Sequence, residues 1–224
     1  MERQPVNSLV YGETNSGKTF NWSSFATENK FLLSAESGLL SLQGTTVLGC
    51  EIATMKEVDE AYQWLLGSKE AEGVTLVGID SISEVADICL EEEMPKTKHA
   101  IQAYGAVLRR VRKLVKAFRV LPGKHVYMIA RQARLQDDNG AFFYGPDMPG
   151  QKLGYMLPHW FDEVFCQRVS AATDKGGKTT ISRFIQTCTD GVYLAKDRSG
   201  KLEQYEAPNL GAIYNKILGY GEQS

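Results

Sequence analysis

Two glycines, a lysine and a threonine stand at the spacing G-x-x-x-x-G-K-T in "GETNSGKT", residues 12–19, directly after the apolar run "SLVY". That pattern is suited to a polyphosphate. Gly12 and Gly17 let backbone N–H groups turn inward on phosphate oxygens, Lys18 reaches the β- and γ-phosphates, and Thr19 offers its hydroxyl to Mg²⁺. Glu13, Thr14, Asn15 and Ser16 complete the cradle, so ATP with Mg²⁺ is the expected cofactor pair. Such a loop works with a second acid at the end of a neighbouring apolar strand. Asp80, closing "TLVGID", has that position; its other reading is an N-cap for the helix that follows.

Two further side chains fall where a γ-phosphate would be. Glu36 in "FLLSAESG" ends the strand after the phosphate-loop helix, where a carboxylate can polarise an attacking water. Gln132 in "YMIARQ" ends the strand after the Asp80 strand, where an amide can report the γ-phosphate.

The elements that must carry these groups alternate along the chain. Residues 7–11 read as a strand, 18 to about 28 as a helix, 31–35 as a strand, 46–52 as a strand and 56–66 as a helix. "VTLVGIDS", residues 74–81, is a continuous apolar run ending in an acid, the form of a strand buried on both faces of a parallel sheet. Residues 101–120 place Tyr104, Val107, Leu108, Val111, Leu114, Val115 and Phe118 on one helical stripe. Residues 124–130 return as a buried strand. Residues 134–158, rich in Gly, Pro and aromatics and without a period, read as a long mobile loop. Strands at 161–170 and 179–189 form a hairpin across "DKGGK", a short strand follows at 192–196, and 210–218 is a helix. The expected fold is α/β, a mainly parallel sheet flanked by helices with a C-terminal antiparallel hairpin, in one domain over 1–224.

Composition supports an ordinary globular chain: 43% hydrophobic and 23% charged residues, with net charge −2. No apolar run is long enough to span a membrane, and "MERQPVNS" lacks the core of a signal peptide, so the cytoplasm is the expected location. The four cysteines form no C-x-x-C pair and the three histidines have no zinc spacing. Charge is uneven. Residues 94–136 contain eleven Lys and Arg and no acid, leaving the middle at +11 and the remainder at −13. A polyanion-binding face on an acidic body would have this asymmetry.

The order of phosphate loop, Glu36, Asp80 strand and Gln132 strand resembles the RecA-type ATPase core. Within it, "YGETNSGKT", "LVGIDSIS", "AYGAVLRRVRKLV", "HVYMIARQ" and "YGPDMPGQKLGYMLPHWFDEVF" are similar to the short phage single-strand annealing proteins of the Sak type, over roughly residues 5–218. The resemblance implies an oligomer, ring or filament, with ATP between subunits. Lys196 and Arg198 in "LAKDRSG" would reach the neighbour's γ-phosphate, an Arg there acting as a trans finger. It also implies two regions that face single-stranded DNA. Lys96, Lys98 and His99 belong to the first; Arg134, Phe142, Phe143, Tyr144 and Lys152 belong to the second, where aromatics stack on bases and cations meet phosphates. The extra terminal segments of full recombinases are not evident, so annealing, with a single-strand-binding protein as accessory partner, is expected rather than strand exchange. Two other classes use the same loop: a small-molecule kinase of nucleoside type, and a nucleotide-dependent binding module with negligible turnover.

Overall fold

A computed structural model describes residues 5–25, 29–36, 48–174 and 176–220. Its strands are β1 (Asn7–Gly12), β2 (Lys30–Ser34), β3 (Leu48–Glu51), β4 (Leu76–Asp80), β5 (His125–Gln136), β6 (Phe142–Pro146), β7 (Glu163–Thr173), β8 (Thr179–Gln186), β9 (Lys196–Asp197) and β10 (Tyr205–Glu206). The helices are α1 (Lys18–Ser23), α2 (Met55–Gly67), α3 (Ile82–Glu93), α4 (Ala100–Arg119), α5 (Gln151–Met156) and α6 (Leu210–Leu218). The strand order is β10-β8-β7-β1-β5-β4-β2-β3, with β6 on β5 and β9 on β7. From β7 to β3 the strands of this path pair in parallel, and β6, β8, β9 and β10 pair antiparallel. This is the expected α/β sheet with an antiparallel C-terminal edge.

Alternation along the central strands divides the core. Leu9 and Tyr11 of β1 join one cluster with α2, α3 and α4, whereas Val10 joins the other with Trp22 of α1 and Leu210, Ile213 and Tyr214 of α6. Every residue of β1 and β4 is buried, as expected of parallel strands covered on both faces. The α4 stripe buries Val107, Val111, Leu114, Val115 and Phe118, while Tyr104 stays exposed. Local signals set the helix starts. Thr54 and Glu57 form a capping box ahead of α2, and the Ser81 side chain accepts from the Glu84 N–H ahead of α3.

Residues 134–158 are not the expected aperiodic loop. β5 runs on to Gln136, turns, and pairs with β6 in the register Gln132 to Pro146 and Gln136 to Phe142; α5 and a 3₁₀ turn at Leu157–Trp160 follow. Composition concealed this because tertiary contacts supply the order. The Asp137 carboxylate accepts from the Asn139 and Ala141 N–H groups at the turn, Tyr144 stacks on Tyr193, and Leu153, Leu157 and Trp160 enter the core. The expected strand at 192–196 reduces to a bridge between Tyr144 and Tyr193 followed by β9. The expected end of the first helix at 26–28 and the start of a strand at Thr46 lie outside the described residues.

Candidate functional site

β1 ends at Gly12, which pairs with Arg131 of β5 on one side and Gln167 of β7 on the other. A Cβ at Gly12 would overlap the Gln167 carbonyl oxygen, so only glycine allows the chain to leave the sheet here. The loop then turns through Asn15 at φ 62° and Gly17 at φ 99°, and α1 begins at Lys18. The buried Ser16 hydroxyl has no hydrogen-bond partner, an orphaned polar atom in a cradle shaped for an anion.

Gly12, Glu13, Thr14, Asn15, Gly17, Lys18, Thr19, Glu36, Asp80 and Gln132 line one cleft of about 1130 Å³. Lys18 Nζ donates to the carbonyls of Gly12 at 2.9 Å and Glu13 at 2.8 Å. Burial lowers its pKa, with Asp80 and Glu36 opposing that shift. Thr19 Oγ1 donates to Asp80 Oδ2 at 2.5 Å. Burial raises the Asp80 pKa, the Thr19 hydrogen bond lowers it, Glu36 raises it and Lys18 lowers it. A buried carboxylate and a hydroxyl within hydrogen-bond distance of each other are hard oxygen donors, so this pair fits Mg²⁺, and the loop with the Lys18 ammonium fits phosphates. Both groups suit the residues present.

Glu36 stands beside this pair. Its Oε1 accepts from the Ser81 hydroxyl at 2.6 Å, and its N–H donates to the Asp80 carbonyl at 3.3 Å. Gln132 lies one residue beyond Arg131, the partner of Gly12, and its Oε1 is 3.9 Å from the Cys166 Sγ. Burial pushes that thiol up to about 11, so at neutral pH it is a protonated donor. Four parallel strands thus bring together groups that are 120 positions apart from Gly12 to Gln132 in the chain.

The fold puts the other candidates elsewhere. Lys196 and Arg198 lie at the end of β1 away from the phosphate loop, because β9 pairs with β7 at Glu163 and Val164 and Glu163 lies beside Ser8. Lys196 Nζ donates to the carbonyls of Pro158, at 3.2 Å, and Phe161. Arg198 pairs with Asp162 at 3.0 Å. There the structure opens a second cavity of about 880 Å³.

Lys96 pairs with Glu93, and Lys98 and His99 are exposed just before α4. The first turns of α4 lie against the start of α5, since a Cβ at Gly150 would stand 3.3 Å from Tyr104, and the exposed Lys152 is on α5. On the hairpin, the Arg134 guanidinium lies 3.8 Å from the Phe142 ring centre and Phe142 is 51% exposed. Phe143 and Tyr144 are engaged within the fold, against Tyr155 and Tyr193.

The acid-free stretch of sequence is not an acid-free surface. Arg110 pairs with Glu92 and Glu93, Arg119 with Asp162, and Arg131 with Glu84, Asp87 and Asp147; Lys124 is buried on the carbonyls of Ala71 and Val74. Acids from outside the window fold onto it. Arg109, Arg112, Lys113 and Lys116 remain exposed along α4.

With this geometry in place, comparison with protein families finds a match to the AAA domain over residues 4–199. The chain belongs to that family of P-loop ATPases. No curated protein matches it. Membership makes this AAA-domain chain a nucleotide-binding protein of ATPase type, which agrees with the cleft. Among its described residues no helix is long and apolar enough to cross a membrane.

Sequence reasoning missed three side chains of the ATPase cleft. Ser81 holds Glu36, and its only sequence signal was adjacency to Asp80. Arg183 of β8 reaches the loop, with Nη2 3.5 Å from the Asn15 carbonyl; strand register alone brings it there. Phe20 is 63% exposed in the same cleft and was read only as part of a helix.

Proposed function

We propose that this AAA-domain ATPase is an ATP-dependent single-stranded DNA-binding and annealing protein, similar to the Sak type, acting in the cytoplasm as a homo-oligomer with the whole chain as one ATPase domain. The observation that carries the reading is the continuity of β5. One unbroken strand runs from Gln132 in the cleft into the β5–β6 hairpin that exposes Phe142 beneath Arg134. A change of contact at Gln132 is therefore transmitted through backbone hydrogen bonds to the hairpin rather than through a slack loop.

In this reading the 12–19 backbone, with Lys18, holds the phosphates, and Thr19 and Asp80 hold Mg²⁺, which when bound neutralises phosphate charge. Glu36, held by Ser81, orients the water that attacks the γ-phosphate, and Gln132 contacts that phosphate. Phe142 stacks on a base, and Arg134, Lys98 and Lys152 meet the DNA backbone. Placement of Lys196 and Arg198 at the opposite end of β1 from the loop suits a head-to-tail interface, closing to a ring or continuing as a filament. With the Lys196 ammonium on two carbonyls, Arg198, whose side chain is 71% exposed, takes the role of trans finger. A single-strand-binding protein is the accessory partner.

The test is fluorescence anisotropy of a labelled single-stranded oligonucleotide with ATP, ADP or no nucleotide, at two salt concentrations, together with phosphate release. Binding that requires ATP, weakens with salt and is lost in Lys18→Ala supports the reading. Absence of DNA binding, or the same affinity with all three nucleotide states, refutes it.

A further inference from the structure

Arg183 is a cation set over the phosphate loop without a carboxylate partner among the described residues. Arg110, Arg119, Arg131, Arg168 and Arg198 each have a carboxylate partner, whereas Arg183, among the described residues, has none within ion-pair range. Strand register explains its position. Gln167 of β7 lies opposite both Gly12 and Ile185, so Arg183, opposite Val169, stands two residues further out, beyond the end of β1 where the loop turns back. Its Cδ and Nε lie 3.5 and 3.7 Å from where a Gly17 Cβ would be, and Nη2 is 3.5 Å from the Asn15 carbonyl. Phe20 follows Gly17 by three residues, placing it on the same face of the first turn.

The two sides of β1 then have different jobs. On the β5 side follow β4, with Asp80, and β2, which leads to Glu36; on the β7 side follows β8, with Arg183. Thr19 bonded to Asp80 marks the metal and γ-phosphate end on the β5 side. A nucleotide whose β-phosphate occupies the 12–19 loop must therefore extend its α-phosphate and nucleoside toward β8.

We propose that Arg183 is a nucleotide-binding residue that pairs in cis with the α-phosphate, and that Phe20 forms the apolar surface against the base. The inference rests on the nucleotide reading of the cleft and adds to it a contact from the C-terminal hairpin that no phosphate-loop pattern contains. Because ATP and ADP share an α-phosphate, Arg183 contributes to both affinities alike, unlike a γ-phosphate contact such as Gln132.

The experiment is calorimetric titration of the full chain with ATP and with ADP, in Mg²⁺, for wild type, Arg183→Ala, Arg183→Gln, Arg183→Lys and Phe20→Ala, with thermal melting of each. Loss of a charge-assisted hydrogen bond predicts that Arg183→Ala weakens both nucleotides by about tenfold or more. Arg183→Gln, which keeps a donor for the Asn15 carbonyl but no charge, falls equally, and Arg183→Lys keeps most of the affinity. Phe20→Ala weakens ATP and ADP without lowering the melting temperature, since its ring is already in solvent. Affinities within about twofold of wild type in Arg183→Ala overturn the inference, as does a loss for ATP alone. Full affinity in Arg183→Gln reduces the residue to a support for Asn15 and also overturns it. A wild type that binds neither nucleotide removes the cleft reading itself, a distinct failure.

Discussion

Ser81→Ala separates the catalytic geometry from the scaffold. Ser81 is 1% exposed and its hydroxyl makes two bonds, donating to Glu36 Oε1 at 2.6 Å and accepting from the Glu84 N–H at 3.2 Å. Removal of the second uncaps α3 and costs about 1 kcal/mol, which lowers the melting temperature by about 2–4 °C in a chain of this size. The first is a bond to a charged group, of the class worth about 1.5–3 kcal/mol when buried. Glu36 is exposed, so water competes for its other oxygen and the lower end applies. On the proposed role of Glu36 in orienting the attacking water, the carboxylate freed of Ser81 samples orientations that do not face the γ-phosphate, and kcat falls about tenfold. Nucleotide affinity stays the same, because the bonds of Lys18, Thr19 and Asp80 are untouched. The assay is steady-state phosphate release with saturating Mg-ATP, alone and in the Glu36→Gln background. There Ser81→Ala adds nothing further to the loss of turnover, while the melting shift persists. A Ser81→Ala enzyme with kcat within about twofold of wild type and the expected drop in melting temperature would refute the positioning argument.

Three other perturbations follow from the same structure. Asp80→Asn removes an acid whose ionised form is disfavoured by burial, so the nucleotide-free protein melts higher while the gain in ATP affinity on adding Mg²⁺ disappears; melting curves and titrations with and without Mg²⁺ check both signs. Glu163, 2% exposed, has its pKa raised by burial to about 8 against 4.5 for the ordinary group. The folded state therefore holds a proton that the unfolded state releases, and this contribution to stability, complete below about pH 4.5, is lost as pH rises toward 8. Glu163→Gln flattens that decline in denaturant midpoints between pH 5 and 8; an unchanged slope counts against it. Phe118→Ala deletes a ring that is 1% exposed and packs 5.4 Å from Tyr62, at a cost of about 3–5 kcal/mol in urea unfolding. A loss below about 1 kcal/mol would show that α4 is not anchored to the sheet as described.

Most elements outside residues 134–158, and part of the cleft, were legible in the sequence. Its phosphate loop, the acid at the end of a fully apolar strand and the helical stripe of α4 are local patterns, and local patterns follow from backbone sterics and burial period, which adjacent residues express. Glu36, Asp80 and Gln132 were legible together because parallel strands feeding one sheet edge deliver their C-terminal ends to the same place. Residues 134–158 were misread for the opposite reason: Gly and Pro conceal a hairpin whose order comes from Asp137 at its turn and from Tyr193, 49 positions beyond Tyr144. The pairing of the basic run was hidden likewise, since Glu84, Asp87, Glu92, Glu93, Asp147 and Asp162 lie outside it in sequence and beside it in space. Only the tertiary structure decided that Ser81 holds Glu36, that Lys196 and Arg198 stand at the far end of β1, and that Arg183 overhangs the loop. Strand register sets each of these, and register is fixed by packing across the whole sheet rather than by any neighbouring residue.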